Sequence, residues 1–173
     1  MSSLPTQPEP SNVSAEIHPE PIPLVSAADL LNPLVLVSDA MTAGPRTCSP
    51  FSSIVEAALI FRDADCGVIP VTEDGLPIGV LTDRDVALAV PEHNGILSNA
   101  TVADLMTKDV VTIEVDATLE TAVERLGDQG LRRLLVVDAE NRLVGILSWT
   151  DLVPHLSDRG LGQVVTKIAA AQR

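Results

Sequence analysis

Gly79-Val80-Leu81-Thr82-Asp83-Arg84-Asp85 occurs a second time as Gly145-Ile146-Leu147-Ser148-Trp149-Thr150-Asp151. In each copy a run of apolar residues meets a hydroxyl, and a carboxylate follows three residues later. This is the pattern of a buried strand turning directly into a helix. Thr82 and Ser148 then stand at the N-cap, and Asp85 and Asp151 in the first turn, where the helix dipole favours an acid. The same groups also suit a ligand. The N–H groups of a helix start attract an anion, a hydroxyl adds one bond to a phosphate, and a carboxylate accepts from two neighbouring ribose hydroxyls. Capping and ligand binding both remain open from one copy. Recurrence at the same place in two copies weakens the reading as capping alone.

Working outward, the two segments belong to a longer repeat. A shift of 65 residues pairs Val37/Val102, Asp39/Asp104, Met41/Met106, Thr42/Thr107 and Thr47/Thr112, then Ala57/Ala122, Asp63/Asp128 and Val71/Val136. One further residue enters the next turn, and a shift of 66 pairs Gly79/Gly145, Leu81/Leu147 and Asp85/Asp151. A unit of about 50 residues buries its own core poorly. Two units are therefore expected to pack face to face about a pseudo-twofold axis and share one core.

Each unit has the same predicted order, β-α-β-β-α. A short apolar stretch ending at Thr47 or Thr112 suits a strand. The helix that follows is signalled by Ser53 with Glu56, and by Thr118. Its apolar face is Ile54, Ala57, Ala58 and Phe61 in the first unit, and Leu119, Ala122, Val123 and Leu126 in the second. Val68–Val71 and Ile78–Leu81 flank a turn at Glu73-Asp74-Gly75. Leu134–Val137 and Leu143–Leu147 flank one at Ala139–Asn141. Both read as hairpins with strands buried on both faces. Pro91 is expected to stop the helix begun at Thr82, and Pro154 lies in the first turns of the other. The predicted organisation is a disordered Pro-rich tail over 1–33, a first unit over 34–97, a second over 98–159, and a tail or loose helix over 160–173. Val25 to Val37 is apolar enough to dock on the domain.

Composition narrows the function. The chain has 173 residues, 46% hydrophobic but only 2% aromatic, so its core must be aliphatic. Eleven Lys and Arg face 24 Asp and Glu, a net charge of −13. Such a surface repels phosphate backbones and anionic lipid, which argues against nucleic-acid polymers and membranes as partners. Cys48 and Cys66 are too few for a disulfide framework, no apolar run reaches a membrane span, and no signal peptide is readable at the N-terminus. A cytoplasmic protein is expected. His18, His93 and His155 lack ligand spacing, so no metal site is expected. No nucleophile–base–orienter set is readable, so an enzyme is not expected. Asp83 and Asp85 suit either a Mg²⁺ arriving with a nucleotide or an ion-paired surface. Trp149, expected to be partly exposed, suits a partner surface or a cover over the cleft.

The segments Val37-Ser38-Asp39-Ala40-Met41-Thr42 and Val102-Ala103-Asp104-Leu105-Met106-Thr107, with Arg132-Arg133-Leu134-Leu135-Val136-Val137-Asp138 and the two opening motifs, resemble the cystathionine β-synthase (CBS) domain pair, or Bateman module. The resemblance covers roughly residues 35–157. It implies an α/β (α+β) fold of two βαββα units packed through their sheets, and two composite clefts for an adenosine ligand: ATP, ADP, AMP or S-adenosylmethionine. Carried over by position, one cleft holds Thr82 and Asp85 with Thr112, Arg132 and Arg133. The other holds Ser148 and Asp151 with Thr47, Gly67 and Val68. Asp85 and Asp151 would meet ribose, Thr82 and Ser148 phosphate, and the backbone near Val68 and Arg133 the adenine edge. Because Gly67 and Val68 stand where the second unit has Arg132 and Arg133, the Thr82/Asp85 cleft is expected to prefer a polyphosphate and the other to be weaker, empty or less charged. The resemblance further implies a disc-like homodimer that senses adenine nucleotides and regulates an unidentified partner, with a non-binding dimerisation scaffold as the alternative.

Overall fold

The computed structural model describes residues 35–156 and Thr166. The Pro-rich tail, the stretch from Val25 up to residue 34 and, Thr166 apart, the expected C-terminal helix lie outside the described residues. The elements are α1 (Val37–Ala40), β1 (Thr42–Ala43), α2 (Ile54–Ala64), β2 (Val68–Glu73), β3 (Leu76–Thr82), α3 (Asp83–Glu92), α4 (Val102–Leu105), β4 (Thr112–Glu114), α5 (Leu119–Asp128), β5 (Arg133–Val137), β6 (Leu143–Ser148) and α6 (Trp149–Leu152), then a 3-10 turn at Val153–His155. The fold is mixed α and β.

Both expected hairpins form, β2 with β3 and β5 with β6, each antiparallel with an irregularity after Val71 or Val136. The second carries β4 in parallel at one edge and β1 at the other, in the order β1-β6-β5-β4. The first hairpin has the same neighbours reduced to single bridges, Cys48 parallel to Val71 and Thr107 antiparallel to Val80. The expected strands ending at Thr47 and Thr112 are corrected by this arrangement. The second begins at Thr112, and the first shrinks to Cys48, because Pro50 has no N–H to extend the pairing.

Two short helices, α1 and α4, precede these strands and were not part of the β-α-β-β-α expectation. Each docks in the other unit. Val37 N–H bonds Ala117 O at 2.8 Å, and Leu119 N–H bonds Val35 O at 3.0 Å. Symmetrically, Val102 N–H bonds Ser52 O at 2.9 Å, and Ile54 N–H bonds Ala100 O at 3.1 Å. The exchange gives two buried clusters in place of the single shared core expected. Val37 sits with Ile113, Leu119, Leu126, Leu134 and Leu147. Val102 sits with Ile54, Ile69, Val71 and Leu81.

The units also meet through their sheets. Successive side chains of a strand face opposite sides. Leu134 and Val136 face one cluster, while Leu135 and Val137 are equally buried and belong to neither. Pro70, between Ile69 and Val71, repeats this in β2. At the hairpin tips Leu143 N–H bonds Gly75 O at 2.9 Å, and Arg142 Nη1 donates to Asp74 O at 3.1 Å.

The helix signals hold with small corrections. Ser53 and Thr118 cap α2 and α5. The four expected core residues of α5 are buried, whereas Ala58 of α2 is exposed. Helix α3 includes Pro91 and ends one residue later, near enough its C-terminus that the lost N–H breaks little. Pro154 lies in the 3-10 turn. Among the described residues no helix is long and apolar enough to cross a membrane.

Candidate functional site

At both repeated motifs the strand does turn directly into a helix, and both hydroxyls are N-caps. Thr82 Oγ1 accepts from Asp85 N–H at 3.1 Å, and Asp85 Oδ2 accepts from Thr82 N–H at 2.9 Å and Thr82 Oγ1 at 2.6 Å. Asp151 Oδ2 accepts from Ser148 N–H at 2.7 Å, while Ser148 Oγ accepts from Thr150 Oγ1 at 2.9 Å. The boxes fix each carboxylate through one oxygen and leave Oδ1 outside these bonds. Capping and ligand binding are thus compatible: the box orients the acid that a ligand would meet.

A cavity of about 450 Å³ opens at Ser148 and Asp151. Its walls come from both units: Thr42 of β1, Gly44, Pro45 and Arg46 after it, Ala64 to Cys66 at the end of α2, Gly67 and Val68 entering β2, then Arg133, Ile146, Ser148, Thr150 and Asp151. Five of the sequence-derived candidates, Gly67, Val68, Arg133, Ser148 and Asp151, therefore share one space. Thr47 lies just beyond its lining, with Arg46 in its place. Among the other candidates, Thr82 and Asp85 meet in their own capping box. Thr112 opens β4, and its carbonyl accepts from Arg125 Nη1. Arg132 precedes β5, and its carbonyl accepts from Trp149 N–H at 3.1 Å. Trp149 is half-buried and packs on the Val37 cluster.

Arg133 is expected in the Thr82/Asp85 cleft, and the structure brings it to Ser148 as well. Antiparallel register pairs Arg133 with Ser148 in the hairpin, and Arg133 lines the Ser148/Asp151 cavity. Arg46 lines it too. The lining residues with polar or thiol side chains that sequence reasoning missed are Thr42, Arg46, Asp65, Cys66 and Thr150. Arg46 follows Gly44-Pro45 directly after the repeated Met-Thr, and the loop position was its only signal. Asp65 is the left-handed C-cap of α2, with φ 47°.

Cys66 is half-buried on the cavity wall; Cys48 is buried elsewhere, in the Val102 cluster. Burial, with a smaller push from the Glu56 charge, raises the Cys48 thiol to about 11. Among the described residues no group of three or more His, Cys, Asp or Glu converges as a metal site.

The sequence profile of the CBS domain matches residues 37–92 and 102–158. The CBS domain-containing protein YhcV of Bacillus subtilis (strain 168) is 37% identical over 134 residues, covering 77% of this chain and 94% of that protein. The crystal structure of CBSX2 in complex with AMP is 29% identical, with a TM-score of 0.59, covering 76% of this chain and 99% of that one. The CBS domain pair of protein MJ0100, in complex with 5′-methylthioadenosine and S-adenosyl-L-methionine, is 28% identical with a TM-score of 0.62, covering 70% and 95%.

Proposed function

The chain belongs to the CBS-domain family, and from that membership we propose that it is a regulatory module that binds an adenosine ligand and passes its bound state to a partner protein. The observation that carries the reading is the composite cavity at Ser148 and Asp151. Its volume is in the range of small-molecule sites. Its lining includes a carboxylate fixed by its capping box, which suits ribose, together with hydroxyl residues and two arginines. The few aromatics leave adenine to aliphatic and backbone walls, among them Val68 and Ile146.

Because the walls come from both units, a ligand that fills the cavity stabilises one angle between them. That differential stabilisation is what a partner reads. AMP, ADP, ATP and S-adenosylmethionine are the candidates, with Mg²⁺ only as the companion of a di- or triphosphate. Thr82 and Asp85 form the pseudo-equivalent site in the other unit. Two copies associate through the helix face of the first unit, where Phe51, Val55 and Leu59 are exposed.

Calorimetric titration with the four ligands tests the reading. Binding of at least one is expected, and Asp151→Ala should weaken it about tenfold or more through loss of the ribose contacts. Heat from none of the four would favour the dimerisation scaffold with non-binding clefts.

A further inference from the structure

The first unit covers its Val102 cluster with a stretch of chain whose counterpart in the second unit comes from a different part of the sequence. Helix α3, the residues that follow it and α4 form one continuous run. Within it Leu97 packs on the cluster, and Ala89 and Ala100 are 3% and 7% exposed. The repeat sets α6 opposite α3 and α1 opposite α4. Those two are not consecutive, since α1 opens the described chain and α6 lies near its end. The counterparts of Ala89 and Ala100 are His155 and Val35, and both are half-buried. Val35, Trp149 and Leu156 rest half-buried on the Val37 cluster, and Val153 between the last two is 38% exposed. Among the described residues, nothing covers this apolar flank as Leu97 covers the first.

We propose that residues 25–34 of this chain dock on that flank and serve the second unit as its missing linker. The segment leads straight into the patch: Val35 O accepts from Leu119 N–H at 3.0 Å, and Val37 fills the cluster. A shift of 65 residues sets Leu31 and Asn32 opposite Ile96 and Leu97. Val25, Leu30, Leu31 and Leu34 are apolar, and Asp29 is the single charge of the segment. In a chain of net −13, so uncharged a stretch suits apolar surface better than water. Helix α6 rests on the same cluster through Trp149 and Leu152, and the motif at its start carries Ser148 and Asp151. Docking therefore steadies one wall of the cavity, a consequence that rests on the function proposed above.

Trp149 is the only tryptophan of the chain and lies on the flank, so its fluorescence reports docking with no ligand added. In the full chain, Leu30→Asp with Leu31→Asp should shift its emission to the red and raise its quenching by acrylamide. Amide hydrogen exchange over residues 149–156 should quicken at least about tenfold, because the flank opens more often once its apolar cover is lost. Leu161→Asp with Val164→Asp, in the stretch that leaves the same flank after Leu156, should change neither readout. No response of either readout to the first pair would overturn the proposal. An equal or larger response to the second pair would assign the flank to the C-terminal stretch, and a wild-type emission that shifts with protein concentration would assign it to a second copy; each overturns the proposal too. Since no ligand enters these measurements, a failure of docking is distinguishable from a failure of the adenosine reading.

Discussion

Gly79 and Gly145 are the residues at which a single methyl group would be felt most. Each opens the repeated motif, and each lies under the methionine that ends the exchanged helix of the other unit. A Cβ at Gly79 would stand 2.6 Å from Met106 Sδ and 3.0 Å from Thr107 O. Met41 covers Gly145 in the same way. The strand cannot back away, because Val80 and Thr107 exchange backbone bonds at 2.9 Å in both directions. Gly79→Ala is therefore expected to cost about 1–3 kcal/mol by overpacking, measured as a lowered urea midpoint. Combined with Met106→Ala, the two losses should fall well short of additive, since the second makes room for the first. Full additivity would show that the glycine is needed for some other reason. The repeat of Gly79 and Gly145, and of Met41 and Met106, is legible in the sequence. Their contact is not, because spacing along a chain says nothing about which unit a methionine reaches.

At the scale of elements, the hairpins and the helices α2, α3 and α5 are legible because their signals are local: alternating or continuous apolar runs, a turn, and a capping hydroxyl. Helices α1 and α4 are too short for an apolar period, so only their repeated residues betray them. What holds them is visible in the structure. Asp104 Oδ2 accepts from Thr101 N–H and Oγ1, both at 2.8 Å, and Asp39 Oδ2 accepts from Leu36 N–H at 3.0 Å. The backbone bond from Thr101 is the main cause, and its hydroxyl the next, of an Asp104 carboxyl held below its usual value of 3.8. A depressed folded-state value means that the cap contributes stability above the unfolded carboxyl's pKa and loses it as pH falls through the folded one. Asp104→Asn removes that dependence. Urea midpoints from pH 6 down to about 3 should fall more steeply in the wild type than in the variant. Parallel curves would show that Asp104 carries none of the acid sensitivity. The exchange is the same in both units, so the bridge at Cys48 in place of a strand like β4 follows from Pro50, which has no N–H to extend the pairing.

On the whole molecule the two repeats diverge where the fold leaves them free to. Phe51, Val55 and Leu59 are 78%, 55% and 45% exposed on and before α2, and Leu88 adds 58% on the adjacent α3. Shifted by one repeat, the first three become Asp116, Glu120 and Glu124. This asymmetry is legible in the sequence, but only the structure shows that all three apolar positions face outward. It also sets how two copies can meet in the homodimer proposed above. In a chain of net −13, copies repel except where a face carries no charge. An α2 face against a partner's α5 face would strand carboxylates on apolar surface. An α2 face against its own copy buries Val55 near the twofold, and symmetry closes the assembly at two. Sedimentation should thus find a dimer that tightens with salt as the long-range repulsion is screened. Val55→Glu with Leu59→Glu copies the twin helix at exposed positions, so it should fold normally and sediment as a monomer. Glu124→Lys on α5 should leave the dimer intact. A dimer that survives the first pair and dissociates with the second would place the contact on the acidic unit instead.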